Sequence, residues 1–425
     1  MLRLPRMFGT LPLLICLSAV SVRAGDTGTS AADWPQWRGP HRDGVSEEQG
    51  LLQHWTAKGP PLDWKTAGLG EGYASLVISD GTIYTMGKRN NSSAVIALDG
   101  KDGRKLWETP IGGGGEGPSS TPTVDGDRIY AVGPEGDLAC VQTDGKVLWK
   151  KSFTKDFGGS VPTWKFCESP LVDGDRLICT PGGKDATIVA LNKLSGEVVW
   201  QCAVPSGAGN GSGYSSTVIS NGGGIKQYVQ LMGVGTGCVG VAAEDGKFLW
   251  SYPRVGNGTA TIPTPIVHDD YVFCSSGYET GSALLKLSRS GNGVKAEEVY
   301  FLNPKVLQNH HGGLVLVGDY VYCGHGHNNG FPTCVELKTG KIKWGGKRGP
   351  GQESAAVVYA DKQLYFRYQN GTMALISASP ASYKMNGKFE IPNVSKPSWS
   401  HPVVAGGKLY LREQDNLFVY NLKGK

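Results

Sequence analysis

Residues 120–149 read "STPTVDGDRIYAVGPEGDLACVQTDGKVLW". The pattern is an apolar strand, a turn at Asp-Gly, a second strand ending in an aromatic, a third strand, a second turn, and Gly-x-x-x-Trp. Asp-Gly steps supply the positive φ angles that tight hairpins need. Working outward, the first half returns as "SLVISDGTIYTMG" from Ser75, "ESPLVDGDRLICTPG" from Glu168 and "PTPIVHDDYVFCSSG" from Pro263. It returns again as "GGLVLVGDYVYCGHG" from Gly312, "AAVVYADKQLYF" from Ala355 and "SHPVVAGGKLYL" from Ser400. A copy stretched at its turn, "YSSTVISNGGGIKQYVQL", starts at Tyr214.

The second half recurs with Trp107, Trp149, Trp200, Trp250 and Trp344 at its end, and degenerate copies lie near "ALLKLSRSGNGVKAEEVY" and "MALISASPASYKMNGKFEI". Counting from Trp64, the tryptophans are spaced 43, 42, 51, 50 and 94 residues apart, the last being two repeats. A period of this size carrying four short strands marks a β-propeller blade. The sequence therefore predicts an all-β, eight-bladed propeller over residues 56–425. The last copy ends without its Trp strand, and "PLDWKTA" around Trp64 is predicted to supply it, closing the ring and hiding its edges. Where Gly leaves room, each Trp can pack on the neighbouring backbone and tie blade to blade.

"ALDGKDGRKLW" and its copies resemble the pyrroloquinoline-quinone (PQQ) repeat of eight-bladed propellers with tryptophan docking motifs. The arm "WPQWRGPHRDG" from Trp34 is similar to the opening of exported proteins of that kind. The resemblance implies one of two functions. Quinoprotein alcohol dehydrogenases of this fold hold PQQ and calcium in the central funnel, under adjacent cysteines. Others, similar to the propeller lipoprotein of the outer-membrane assembly machinery, carry no cofactor. This sequence has no Cys-Cys pair and shows no alignable Glu, Asn and Asp calcium set. Fold does not fix function.

Residues 1–24 read as a signal peptide: Arg3 and Arg6, an apolar run from Leu11 to Val20, and cleavage near Ala24. Ile15 before Cys16 argues against a lipoprotein site, and an uncleaved anchor is the alternative. Residues 25–55 form a polar, turn-rich arm. The chain carries a net +5, but three arginines fall in the leader, so the mature part is near neutral with no basic tract. That leaves nucleic-acid binding without support. The expected protein is an exported monomer of the periplasm or extracellular space, at most peripheral to a membrane.

Cys140, Cys179, Cys274, Cys323 and Cys334 fall at repeat positions held by small apolar residues in other blades, and read as core fillers. Cys167, Cys202 and Cys238 are less constrained, and one disulfide among them is conceivable after export. Nothing resembles a Gly-x-Ser-x-Gly elbow, and "IGGGGEGP" from Ile111 lacks the Lys-Ser/Thr of a phosphate loop, so it reads as a blade connection.

Loops leading into the first strand of each blade converge on one face. Most residues aligned there are small. Tyr73, His310, His311, Glu353, Trp399 and His401 are not, and they form one arc across blades one, six, seven and eight, with Trp164 and Tyr214 opposite. This is the predicted ligand-binding rim. In blade six, a two-residue turn at Gly318-Asp319 sets Val317 against Tyr320, His310 against His327, and His325 beside His311. Those four histidines could bind zinc or copper. The reading favoured by the sequence is a non-catalytic binding or scaffold propeller of the cell envelope, holding a protein or an envelope polymer. A PQQ-dependent dehydrogenase and a histidine-built metal site are the alternatives.

Overall fold

In the computed structural model, residues 33–205, 211–346 and 348–424, with Met1, are described. The leader assigned above, and its cleavage point, lie outside the described residues. Eight antiparallel sheets of four strands follow one another along the chain, one of them with a short fifth strand. The only helices among the described residues are two 3₁₀ turns of three residues, and no helix is long and apolar enough to cross a membrane. The protein is an all-β, eight-bladed propeller.

Blade six shows the local logic. Its strands are Leu314–Val317, Tyr320–His325, Phe331–Glu336 and Ile342–Trp344. Gly318 takes φ 58, Val317 pairs with Tyr320, and the hairpin closes in the register that the two-residue turn requires. Val315, Val321, Tyr322, Cys323, Cys334 and Val335 are fully buried between neighbouring sheets. Both faces of a propeller blade are covered, so its inner strands are apolar throughout rather than alternating. In the last blade, Leu62–Ala67 pairs antiparallel with Asn416–Asn421, outside Lys408–Glu413 and Val403–Ala405.

The register shifts at a bulge just before the tryptophan in six blades, as between Val147 and Trp149 or opposite Ala97 and Leu98. A bulge turns the next side chain out of the strand's alternation. It aims the indole at the next blade. Trp107 donates Nε1–H to Thr143 O at 2.9 Å, Trp149 to Lys193 O at 3.2 Å, Trp200 to Ala243 O at 3.2 Å and Trp344 to Ser379 O at 2.7 Å. The rings of Trp64, Trp107, Trp149 and Trp200 cover Gly103, Gly145, Gly196 and Gly246, the glycines of the next Gly-x-x-x-Trp. Tyr300 does the same to Gly340 from blade five. Trp250 departs from the pattern. Its Nε1–H turns back to Gln227 Oε1 in its own blade, at 2.6 Å, because Gly240 leaves a hole there and blade five has no matching glycine turn.

Two buried arginines bind blades seven, eight and one. Arg367 donates to Ser400 O and to Glu413 Oε2, each at 2.7 Å, and Arg412 reaches Thr85 Oγ1 at 2.8 Å, Gly70 O at 3.2 Å and Met86 O. The cysteines are all free thiols among the described residues. No disulfide joins Cys167, Cys202 and Cys238. Cys167 lies at the funnel wall, Cys202 in an outer strand and Cys238 in the third strand of the next blade, next to Cys274.

The arm from Trp34 to Ser46 runs through the axis. Trp34 exchanges backbone hydrogen bonds with Ile78 of blade one, Pro35 O accepts from Val124 of blade two, and Arg42 donates to Ser169 O and Pro170 O of blade three. Trp37 Nε1–H reaches Thr264 Oγ1 of blade five at 3.1 Å, and Arg38 reaches Leu314 O of blade six. Val45–Ser46 then pairs parallel to Tyr359–Ala360 of blade seven. Arg38 and Arg42 hold φ 62 and 57, tight left-handed turns that fold "QWRGPHRDG" into a plug.

Candidate functional site

Above that plug lies a cavity of about 360 Å³. Its floor is Trp37 and Arg38, and its wall includes Tyr73, Trp164, Tyr214, Tyr278, His310, His311, His327, Trp399 and His401. The wall is built where the funnel loops converge. Tyr73, His311, Trp399 and His401 precede inner strands, whereas Tyr278 and His327 follow the second strands of blades five and six.

Six of these rings touch in series. Tyr73 meets Trp399 at 4.8 Å between centroids, Trp399 meets His311 at 5.5 Å, His311 meets His310 at 4.6 Å, His310 meets His327 at 4.3 Å, and His327 meets Tyr278 at 4.2 Å. On the floor, Trp37 lies 4.5 Å from His401. Tyr214 is buried, while Trp164 stands half-exposed at the mouth.

Hydrogen-bond partners fix the imidazole tautomers. The Ser354 hydroxyl donates to His327 O at 3.1 Å, so His310 Nδ1–H donates to Ser354 Oγ at 2.6 Å. His310 Nε2 is then an acceptor for the Tyr278 hydroxyl at 3.0 Å. His327 Nδ1 accepts the Tyr278 backbone N–H, leaving Nε2–H as a donor. His401 Nε2–H donates to His311 O at 3.2 Å, leaving Nδ1 as an acceptor. Burial pushes His310 down to about 2, with help from His311 and His327. It pushes His311 to about 4, reinforced by His401, and His401 to about 3, reinforced by Arg38. The cluster is neutral at physiological pH.

Two predicted residues do not reach the wall. Glu353 is exposed; its backbone turns left-handed at φ 63, which presents Ser354 to His310 instead. His325 ends its strand and is buried, its Nδ1 accepting the Gln308 N–H at 3.2 Å. Gly326 at φ 85 breaks the alternation there, so His327 alone swings inward. The four histidines therefore do not share a centre. Among the described residues, no group of three or more His, Cys, Asp or Glu side chains is placed to hold a metal ion.

Sequence reasoning missed Trp37 and Tyr278. Trp37 was visible as part of the N-terminal stretch "WPQWRGPHRDG", but nothing local says that the arm enters the axis. Tyr278 had a signal: it follows "CSSG" as His327 follows "CGHG", and so holds the same repeat position.

A family profile described as outer membrane protein assembly factor BamB matches residues 45–160 and 91–346. The chain belongs to this BamB-like, PQQ-repeat family. Among solved structures, the quinohemoprotein alcohol dehydrogenase of Comamonas testosteroni superposes at TM-score 0.67 and 13% identity, over 93% of this chain and 81% of that one. The quinohemoprotein alcohol dehydrogenase ADHIIG of Pseudomonas putida gives 0.61 and 12%, with the same coverages. BamB of Moraxella catarrhalis gives 0.44 and 15%, over 88% of this chain and 97% of that one. At such identities, the two dehydrogenase superpositions speak for the fold alone. No curated protein matches the chain by sequence.

Proposed function

We propose that this BamB-like propeller is an exported, non-catalytic binding protein of the cell envelope, which holds a protein or an envelope polymer through its funnel and rim loops. One observation carries this reading: the funnel is a blind, ring-walled cavity sealed from below by the chain's own arm. Concave, mostly apolar sites with a few fixed polar groups are the usual form of a binding site. The cavity's histidines are neutral, and their partners are preset, which suits holding a ligand more than moving protons.

The donor set does not suit calcium-bound PQQ. Calcium takes six to eight oxygen ligands, several of them carboxylates. Glu116 is the one carboxylate among the residues lining the cavity, and it is exposed. Cys167 is the one lining cysteine, with no adjacent partner to cover a quinone.

Purification of the protein from its native compartment tests the proposal. The expected result is co-fractionation with the envelope and retention of bound material that is lost in the Trp164→Ala/Trp399→Ala variant. A stoichiometric quinone chromophore, or envelope retention indifferent to both tryptophans, overturns it.

A further inference from the structure

We infer that the funnel's ligand is an uncharged saccharide, a terminal or internal segment of a neutral glycan. The inference rests on the binding proposal above and names the ligand class of that same cavity. Two properties of the wall exclude the other chemistries in turn.

A charged ligand would find no counter-charge inside the cavity. Lys165 is paired to Glu135 at 3.1 Å. Glu116 sits exposed in water. Arg38 points its Nη2 at Asp43 O and Leu314 O, and its Nη1 is pressed against the Gly313 backbone, where even a Cβ would not fit. Its Nε and Nη1 are buried without a partner beneath the floor. The neighbouring imidazoles carry no charge. Sinking an ion into such a site without a hydrogen-bonded partner is strongly unfavourable.

A wholly apolar ligand fails for the opposite reason. It would cover His327 Nε2–H, the Tyr73 hydroxyl and the acceptor lone pairs of the Tyr278 hydroxyl without replacing their hydrogen bonds to water. Each buried polar group left unmet is costly. The site therefore asks for a molecule with flat apolar faces and a neutral edge of hydroxyls that both donate and accept.

Pyranose rings have that form. Their C–H faces pack on aromatic rings, and their hydroxyls pair with neutral donors and acceptors. The paired faces of Tyr73 and Trp399 line one side of the cavity, and the half-exposed Trp164 stands across it at the mouth. Trp164 is held in place rather than loose. Its backbone N–H points to the Tyr214 hydroxyl at 3.4 Å, Cys167 Sγ–H donates to its carbonyl, and Lys165 at φ 67 closes the turn behind it. A cavity of about 360 Å³ is of small-molecule size, room for a short saccharide segment rather than a folded chain. Trp37 sets its depth from the arm.

The test is calorimetry and tryptophan fluorescence on the whole protein, titrated with neutral tetrasaccharides built from glucose, mannose, galactose or N-acetylglucosamine, and with tetragalacturonate as the charged counterpart. At least one neutral tetrasaccharide is expected to bind with a fluorescence change. Trp164→Ala should weaken it about tenfold or more, as losing an aromatic anchor does, with no effect on folding because the side chain is exposed. Trp399→Phe should bind better than Trp399→Ala. Preference for tetragalacturonate overturns the inference and assigns the recognition to Arg38. Binding to none of the sugars overturns it too. If envelope retention in that case still needs Trp164, the binding proposal stands without it; if retention is also indifferent to Trp164, both fall.

Discussion

Acidification should loosen this propeller from its funnel outward. His310, His311 and His401 are held near 2, 4 and 3 by burial, against an ordinary value of 6.5. In the unfolded chain they take up protons near 6.5, while in the folded chain they stay neutral. Between those values the unfolded state binds more protons, so stability falls as pH drops. From pH 7 to pH 5 each histidine removes about 2 kcal/mol, ~6 for the three. Glu168 works the other way. Burial raises its carboxyl from 4.5 to about 7, so its folded form keeps a proton that the unfolded form loses. Its contribution grows on acidification and returns about 2 kcal/mol over the same interval. The net loss is about 4 kcal/mol, with a slope near pH 5.5 of ~2.5 kcal/mol per pH unit. Urea unfolding followed by tryptophan fluorescence, repeated at half-unit steps, measures this. His401→Gln keeps a donor for His311 O and removes one titrating group, so its slope should fall to about 1.3 kcal/mol per pH unit. Equal slopes for the two proteins, or a stability that rises from pH 7 to pH 5, would refute the assignment of buried neutral imidazoles.

Three further outcomes are expected. Gly103→Ala would set a Cβ 2.5 Å from the Trp64 ring, whereas Gly81→Ala has the same left-handed φ and open space, so the first should lose about 1–3 kcal/mol more than the second in paired denaturation curves. Glu413→Gln leaves Arg367 charged and unpaired between blades seven and eight, where both side chains are fully buried, and should cost about 3–5 kcal/mol. Arg367→Met/Glu413→Leu should recover most of that loss in the same assay. Arg42→Met strands Ser169 O on the axis, while Pro170 O keeps the Thr123 hydroxyl, and should cost about 2 kcal/mol, with earlier proteolytic release of the N-terminal arm.

The repeat made the fold legible because each blade is a local object. Short apolar strands, a glycine turn and a tryptophan at fixed spacing are properties of some 45 consecutive residues, and stacking eight of them leaves few choices. Funnel-facing positions could be aligned for the same reason, which is why Tyr73, His310, His311, Trp399 and His401 were found together on one wall. Prediction failed where a single backbone angle intervened. Left-handed turns at Glu353 and Gly326 decide which of two neighbouring side chains faces the funnel, and one-residue steps of that kind invert a face without changing the sequence pattern. Trp250 packs between blades four and five, but its indole N–H turns inward, because a hole at Gly240 in its own blade competed with a docking turn that blade five does not offer.

The sequence by itself determined that the chain forms eight blades, that tryptophans join them, and that aromatic and histidine residues gather at one mouth. Only the tertiary structure decided that the arm from Trp34 to Ser46 passes down the axis and becomes the floor, that Tyr278 completes a belt of touching rings, and that Arg367 and Arg412 pin the last blades to the first. These contacts join residues up to some three hundred positions apart. No local propensity encodes them. They form because closing the ring brings eight inner strands around one axis, and whatever lies there must meet their buried carbonyls.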